Sequence, residues 1–431
     1  MRKMEENIRG GLHKDKDKYK FSRGVYIIQA VLEYFIITMA GSTYLAKLAL
    51  SVGMSDGTTV LLLSFVPLGM CFQIFALFFA HKRPAKLYVS VSLTIVQLCY
   101  ALLYLTPFFN VPTEMRSAVF ILLLLVGEIL RNIIFPAQTT WFFSIIDDWR
   151  RGTFTAVKEI VFLASGMVFT FIMGRIIDSF EARGEINTAF ILCGVTMLGL
   201  MLLHILALIL IKERCEKVEK RPVLREIKAV FSNGRLMKVI TMSVIVSFAS
   251  SMVVPFYGTY QLKELGFSMT ALALISIACS ISRAAFSLPM GWLADKFGFA
   301  NMLTICYLLV AFGRFLNIFF GQGFFITYII LDAIALAGMN SGAVNLAYDY
   351  VPHSQRTAAI AIQNSLTGFV GFFTVLIFRP FVDYVQSCGN KFLFFEHVYA
   401  QQVLSAFSFI VTVGIIMYLN FVLRPMKKEK L

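Results

Sequence analysis

SAVFILLLLVGEILRNIIFPAQTT, residues Ser117 to Thr140, is a run of apolar side chains long enough to cross a membrane. At 1.5 Å rise per residue, about 20 such residues span a bilayer core of about 30 Å. The run also carries Glu128, Arg131 and Gln138, polar groups that lipid does not tolerate without a purpose. Working outward, the pattern recurs at 22–46, 58–80, 86–107, 153–176 and 187–211. It recurs again at 238–261, 270–294, 299–320, 324–348, 357–382 and 398–423. About twelve membrane-spanning helices follow, an all-α membrane protein.

Composition agrees. The 431 residues are 58% hydrophobic, more than a soluble chain of this size covers with polar surface. The 43 Phe and 19 Met suit lipid contact and helix packing. The net charge of +14 does not point to nucleic acid, because the basic residues gather in alternate loops. They lie at Arg2 to Arg23, Lys82 to Lys86, Arg150-Arg151, Lys212 to Lys238, Lys296, Arg356 and Arg424 to Lys430. The positive-inside rule places those loops and both termini in the cytoplasm. A cleavable signal peptide is not expected, since the charged arm is long and the first apolar run is of full span length. Five of the seven Cys sit in apolar runs, and no CxxC or Cys/His cluster occurs, so neither a metal site nor a cofactor is expected.

The polar stretch 212–237 is a cytoplasmic linker between an N-terminal six-helix unit, 1–211, and a C-terminal one, 238–431. The halves look related. Tyr44, Gly53 and Ser55 recur as Tyr257, Gly266 and Ser268 at an offset of 213; Arg151 and Ala156 recur as Arg356 and Ala361 at 205. Two pseudo-symmetric bundles around a central cavity follow, in parallel relation because both begin on the cytoplasmic side.

The loop after the eighth span reads Gly291-Trp292-Leu293-Ala294-Asp295-Lys296-Phe297-Gly298. It resembles the G-x-L-a-D-r-x-G motif of the major facilitator superfamily, found between the second and third helices of each half. Glycines permit close helix approach, and the acid can meet a helix N-terminus or a basic neighbour. The resemblance implies a transporter working by alternating access. In it Gly291, Asp295, Lys296 and Gly298 form a cytoplasmic gate. The first-half counterpart places Lys82 at the acid position and lacks both glycines. Asp147, with Asp148 beside it, and Arg151 are substitutes there, and Arg356 matches Arg151 in the second half.

Ionisable groups at mid-span mark a pathway. Tyr26, Gln29, Glu33, Ala40, Tyr44 and Lys47 form one helical stripe. Glu33 has no basic residue one turn away, so its partner comes from another helix, and it is able to carry a proton. Glu128 and Arg131 share a face, with Gln138 two turns on; they either neutralise each other or meet the solute or proton. Later spans add Ser247 and Tyr257, then Arg283, then Asp332 and Asn340, then Gln363. Arg283 and Asp332 are expected to be cross-helix partners. Arg314 is expected to serve packing or a charge pair, and His204 to sit at a helix interface. Trp141, Tyr34 and Tyr260 either anchor span ends at the membrane interface, the commoner role, or stack on a sugar ring or flat organic solute. The resemblance implies that helices one, four, seven and ten line the cavity, and the stripes fall mainly there.

No nucleotide-binding, HExxH or GxSxG motif occurs, so the chain is not expected to be an enzyme or to be driven directly by ATP. The reading is a secondary or facilitative transporter of a small organic solute, with a proton as coupling ion through Glu33, Glu128 or Asp332. The partners expected are the solute, the proton and the lipid bilayer, with the chain a monomer in a prokaryotic cytoplasmic membrane. The Ser, Gln, Asn and Tyr stripes fit a sugar or glycoside slightly better than a lipophilic drug. Drug efflux and organic-anion transport stay open, as does a non-transporting sensor.

Overall fold

The computed structural model describes residues 19–79, 85–108, 112–146, 151–213, 222–348, 350–351, 356–390 and 398–426. Twelve helices in it are long and apolar enough to cross a membrane. They are α1 (Lys20–Met39), α2 (Gly57–Phe79), α3 (Ala85–Leu105), α4 (Met115–Phe142), α5 (Val157–Ala182) and α6 (Ile186–Leu210). Then come α7 (Gly234–Glu264), α8 (Met269–Phe297), α9 (Phe299–Leu316), α10 (Gln322–Ala347), α11 (Ala358–Ser387) and α12 (Ala400–Leu423). No β-strand occurs among the described residues. Leu122, Val168, Leu202, Leu288 and Ile410 are exposed on the outside of this all-helical body, as lipid contact requires.

The chain is a multi-pass membrane protein, and the helices sort by packing. In the first half α1 packs on α5 and α6, α3 on α4 and α6, and α2 on α4. In the second, α7 packs on α11 and α12, α9 on α10 and α12, and α8 on α10. The main contacts that join the halves are α2 with α11 and α5 with α8, and the end of α7 adds a smaller one to α2 and to Ser42–Ser51. The first is close because Gly368 has no side chain: a Cβ there would lie 2.5 Å from the Pro67 carbonyl oxygen and 2.6 Å from the Cys71 nitrogen. That intimacy is the small-residue packing expected where no hydrophobic force drives helices together.

Four spans depart from the regular helices read in the sequence, one of them α12, which ends in a π turn over Leu419–Leu423. The first span, expected to run over 22–46, stops at Met39, and a separate helix occupies Ser42–Ser51. Gly41 makes the break in extended backbone, and a Cβ there would come 2.8 Å from the Thr38 carbonyl oxygen. Tyr44 and Lys47 therefore leave the stripe that carries Glu33. In α2, Pro67 and a 3₁₀ turn over Phe72–Phe75 interrupt the regular pitch. In α7, Pro255 lies in a 3₁₀ turn and Tyr260–Glu264 form a π turn.

The linker contains a helix, Val223–Ser232, that leads into α7. Asn233 caps α7, its Oδ1 accepting from the Leu236 N–H at 3.1 Å while its Nδ2 donates to the Tyr350 carbonyl at 2.8 Å.

Candidate functional site

The polar groups of the first bundle converge on Glu33. Gln29, one turn earlier on α1, donates from Nε2 to Glu33 Oε2 at 2.6 Å. Gln138 of α4 donates to the same oxygen at 2.7 Å. The expectation that Glu33 finds its partner on another helix is met by an amide, with a second amide from its own helix. Arg131 of α4 and Glu33 line one small cavity of about 10 Å³, together with Gln97 and Tyr100 of α3. That is room for about one water.

Behind Gln29 sits His204 of α6, fully buried. Its Nε2 lies 2.9 Å from Gln29 Nε2 and its Nδ1 2.9 Å from Gln97 Nε2. A neutral imidazole has one donor and one acceptor nitrogen, so one glutamine must present its oxygen to the ring. Gln97 Oε1 is buried without another partner and meets that need by turning its amide. The helix-interface role expected of His204 is thus a bonded one. A continuous polar chain runs Gln97, His204, Gln29, Glu33, Gln138 through α3, α6, α1 and α4.

Glu128 is 2% exposed and is held mainly by Tyr100, whose hydroxyl donates to its Oε1 at 2.6 Å. The Arg131 guanidinium reaches its other oxygen only at 3.5 Å. Neutralisation within α4 is therefore loose, and Arg131 stays within electrostatic reach of Glu33 as well. Lys158 of α5 adds a second cation: its Nζ lies 3.5 Å from the Tyr26 hydroxyl and 5.4 Å from that ring's centre, also within reach of Glu33. Two carboxylates and two cations thus share the first bundle's interior, and only Glu128 and Arg131 make direct contact.

The second bundle is arranged differently. Arg314 of α9 is 3% exposed, and it donates to Ser408 and Thr412 of α12 and to Ser250 of α7. Of the two roles expected of it, packing and a charge pair, these bonds are the packing one, and Asp332 faces it electrostatically without a direct bond among the described residues. Tyr257 and Tyr328 share a hydrogen bond between hydroxyls. Asp332 makes no hydrogen bond or ion pair with Arg283 among the described residues; both lie around Cys279, and Asp332 faces Arg314 electrostatically. Ser247 donates to the Thr367 carbonyl at 2.7 Å and Gln363 to Ser243 Oγ at 2.8 Å, so both tie α7 to α11. Asn340 is exposed.

Of the residues singled out in the sequence, Gln29, Glu33, Glu128, Arg131 and Gln138 come together. Tyr44 does not join them; its hydroxyl donates to the Thr170 carbonyl at 2.9 Å. Trp141 is fully buried, stacked on Phe142, and Tyr260 is buried beside Phe325 and Tyr399, so neither offers a face to a solute. Tyr34 does line a cavity. Sequence reading passed over Gln97, Tyr100 and Lys158. The first two stand three apart in an apolar run, a signal of one polar face; the third is a lone lysine in a span.

At the proposed gate, Gly298 closes α8 with φ of 84°, a conformation that favours glycine. Asp295 makes no hydrogen bond or ion pair among the described residues. Lys296 lies over the Trp292 ring at 4.7 Å. Asp147, Asp148 and Lys82 lie outside the described residues, as does the side chain of Arg151.

The described residues hold no group of His, Cys, Asp and Glu fit for a metal ion. The family model of the Major Facilitator Superfamily matches residues 26–283 and 239–430. None of the curated proteins matches the chain. Among solved structures, a mutant of the nucleoside transporter NupG superposes with a TM-score of 0.71 at 13% identity, covering 93% of this chain and 99% of that one. A D-xylose-proton symporter gives 0.67 at 15%, covering 92% and 97%. A peptide transporter of the POT family gives 0.69 at 11%, covering 95% and 98%. Length, twelve spans, two packed bundles and a match over nearly the whole chain agree: this protein belongs to the major facilitator superfamily.

Proposed function

We propose that the chain moves a small polar organic solute across the membrane by alternating access, coupled to protons through Glu33. One observation carries the reading. Glu33 is a mid-span carboxylate whose close partners are two neutral amides, with Arg131 and Lys158 near but not bonded to it. A carboxylate held this way takes up a proton without separating an ion pair, whereas one in direct contact with a guanidinium does not. The surrounding glutamines and hydroxyls suit a polar solute, and solved structures similar to this fold carry names of nucleoside, xylose and peptide carriers. The distribution of basic loops supports cytoplasmic termini.

The test is proton movement in lightly buffered vesicles on addition of neutral sugars and nucleosides, peptides, organic acids and cationic dyes, with Glu33→Gln beside the parent. Solute-triggered alkalinisation outside, abolished by Glu33→Gln while labelled solute still binds, is expected. Proton movement undiminished in Glu33→Gln refutes the role of Glu33 and moves it to Glu128 or Asp332.

A further inference from the structure

At the end away from the linker, the bundles touch through a carboxylate and a helix terminus. Asp178 of α5 accepts from the backbone N–H of Met269 at 2.9 Å and of Thr270 at 2.7 Å. These residues open α8, and such opening N–H groups have no partner within their own helix. Ser268 satisfies the next one, accepting from Ala271 at 3.1 Å. The terminus of α8 is thus completed by a residue of the other bundle. Gly174, one turn before Asp178, lets the backbones meet: a Cβ there would lie 3.0 Å from the Met269 carbonyl oxygen. Just inside this contact is a cavity of about 220 Å³, lined by Tyr34, Thr38, Thr170, Leu272, Ala273 and Ser276.

We infer that Asp178 is a latch between the bundles, holding α5 against α8 beside the cavity through the first two N–H groups of α8. The attraction is that of an anion for the positive end of a helix dipole, with two charge-assisted bonds. Its chemistry suits a reversible closure. The end of the bundle is within reach of water, which replaces the carboxylate on both N–H groups when the bundles part. Glu181, three residues on, is spoken for differently: it accepts from Lys47 at 2.5 Å within the first bundle. The same helix end therefore carries one acid that binds across the interface and one that does not, which supplies its own control. The motion rests on the alternating-access reading, but the latch does not depend on the solute or the coupling ion.

The experiment places a reporter at Ala273→Cys, a cavity-lining position that is buried while the latch is closed, with the exposed Cys388 changed to Ser. An impermeant maleimide is added to the face bearing Gly53, Gly184 and Gly266. Asp178→Asn keeps the shape but loses the charge and one acceptor. It is expected to raise the labelling rate about tenfold, the equivalent of losing about one charge-assisted bond. Asp178→Glu and Glu181→Gln are expected to label at the parent rate. Equal labelling in Asp178→Asn and the parent overturns the latch. So does Glu181→Gln labelling as fast as Asp178→Asn, because general loosening of α5 then explains the result. Labelling needs neither solute nor proton gradient, so it reads the latch even if coupling at Glu33 fails.

Discussion

Changing His204 to leucine tests whether the polar chain of the first bundle is one connected unit. The imidazole is fully buried and meets Gln29 and Gln97 at 2.9 Å each. Leucine fills most of the space but neither donates nor accepts. Hydrogen bonds between membrane helices are worth about 0.6 kcal/mol on average and about 1.7 at most, less than in water-soluble cores, because the unfolded helices also find partners. Losing two bonds and leaving two buried amides is therefore expected to cost about 1–3 kcal/mol. If the chain is connected, Gln97→Leu added to His204→Leu costs less than the sum, with a coupling of about 0.6–1.7 kcal/mol. The assay is reversible unfolding in mixed detergent micelles by added dodecyl sulfate, run on the four members of the cycle. A second readout separates positioning from mere stability. Gln29, freed from the ring, no longer holds Glu33 in one place, so His204→Leu shifts the pH profile of transport while His204→Gln, whose amide bridges both neighbours, preserves it. Strict additivity together with an unchanged profile refutes the connected chain.

Other expected outcomes follow from single contacts. Gly368→Ala forces the α2–α11 crossing apart, costs about 1–3 kcal/mol as overpacking does, and abolishes transport at normal membrane insertion; an active, equally stable variant would falsify the close approach. Asp295→Asn is expected to leave stability within about 0.5 kcal/mol, since the carboxylate has no bonded partner among the described residues. A loss above about 1 kcal/mol in the same unfolding assay would show the gate acid already engaged.

Much of the site was legible because the bilayer makes polar residues conspicuous. Glu33, Glu128, Arg131 and Gln138 stand out in apolar runs, and helical spacing puts Glu128, Arg131 and Gln138 on one face of their span. Gln97 and Tyr100 escaped because they belong to a helix with no assigned lining role, though α3 packs directly on α4. The pairing of Asp332 with Arg283 failed for the opposite reason: two opposite charges in neighbouring spans need not point at each other.

What the sequence determined by itself was the number of spans, their all-helical form and the family. Each follows from local chemistry: apolar length, backbone bonds that must close within a segment, and the glycines around Asp295. What only the tertiary structure decided was who meets whom. The break at Gly41 that removes Tyr44 from the Glu33 stripe depends on one carbonyl's position. The His204 bridge joins residues 175 and 107 positions apart in sequence, and the hold of Asp178 on α8 crosses from one bundle to the other. Such contacts turn on helix rotation and ångström-scale approach, which a one-dimensional pattern does not encode.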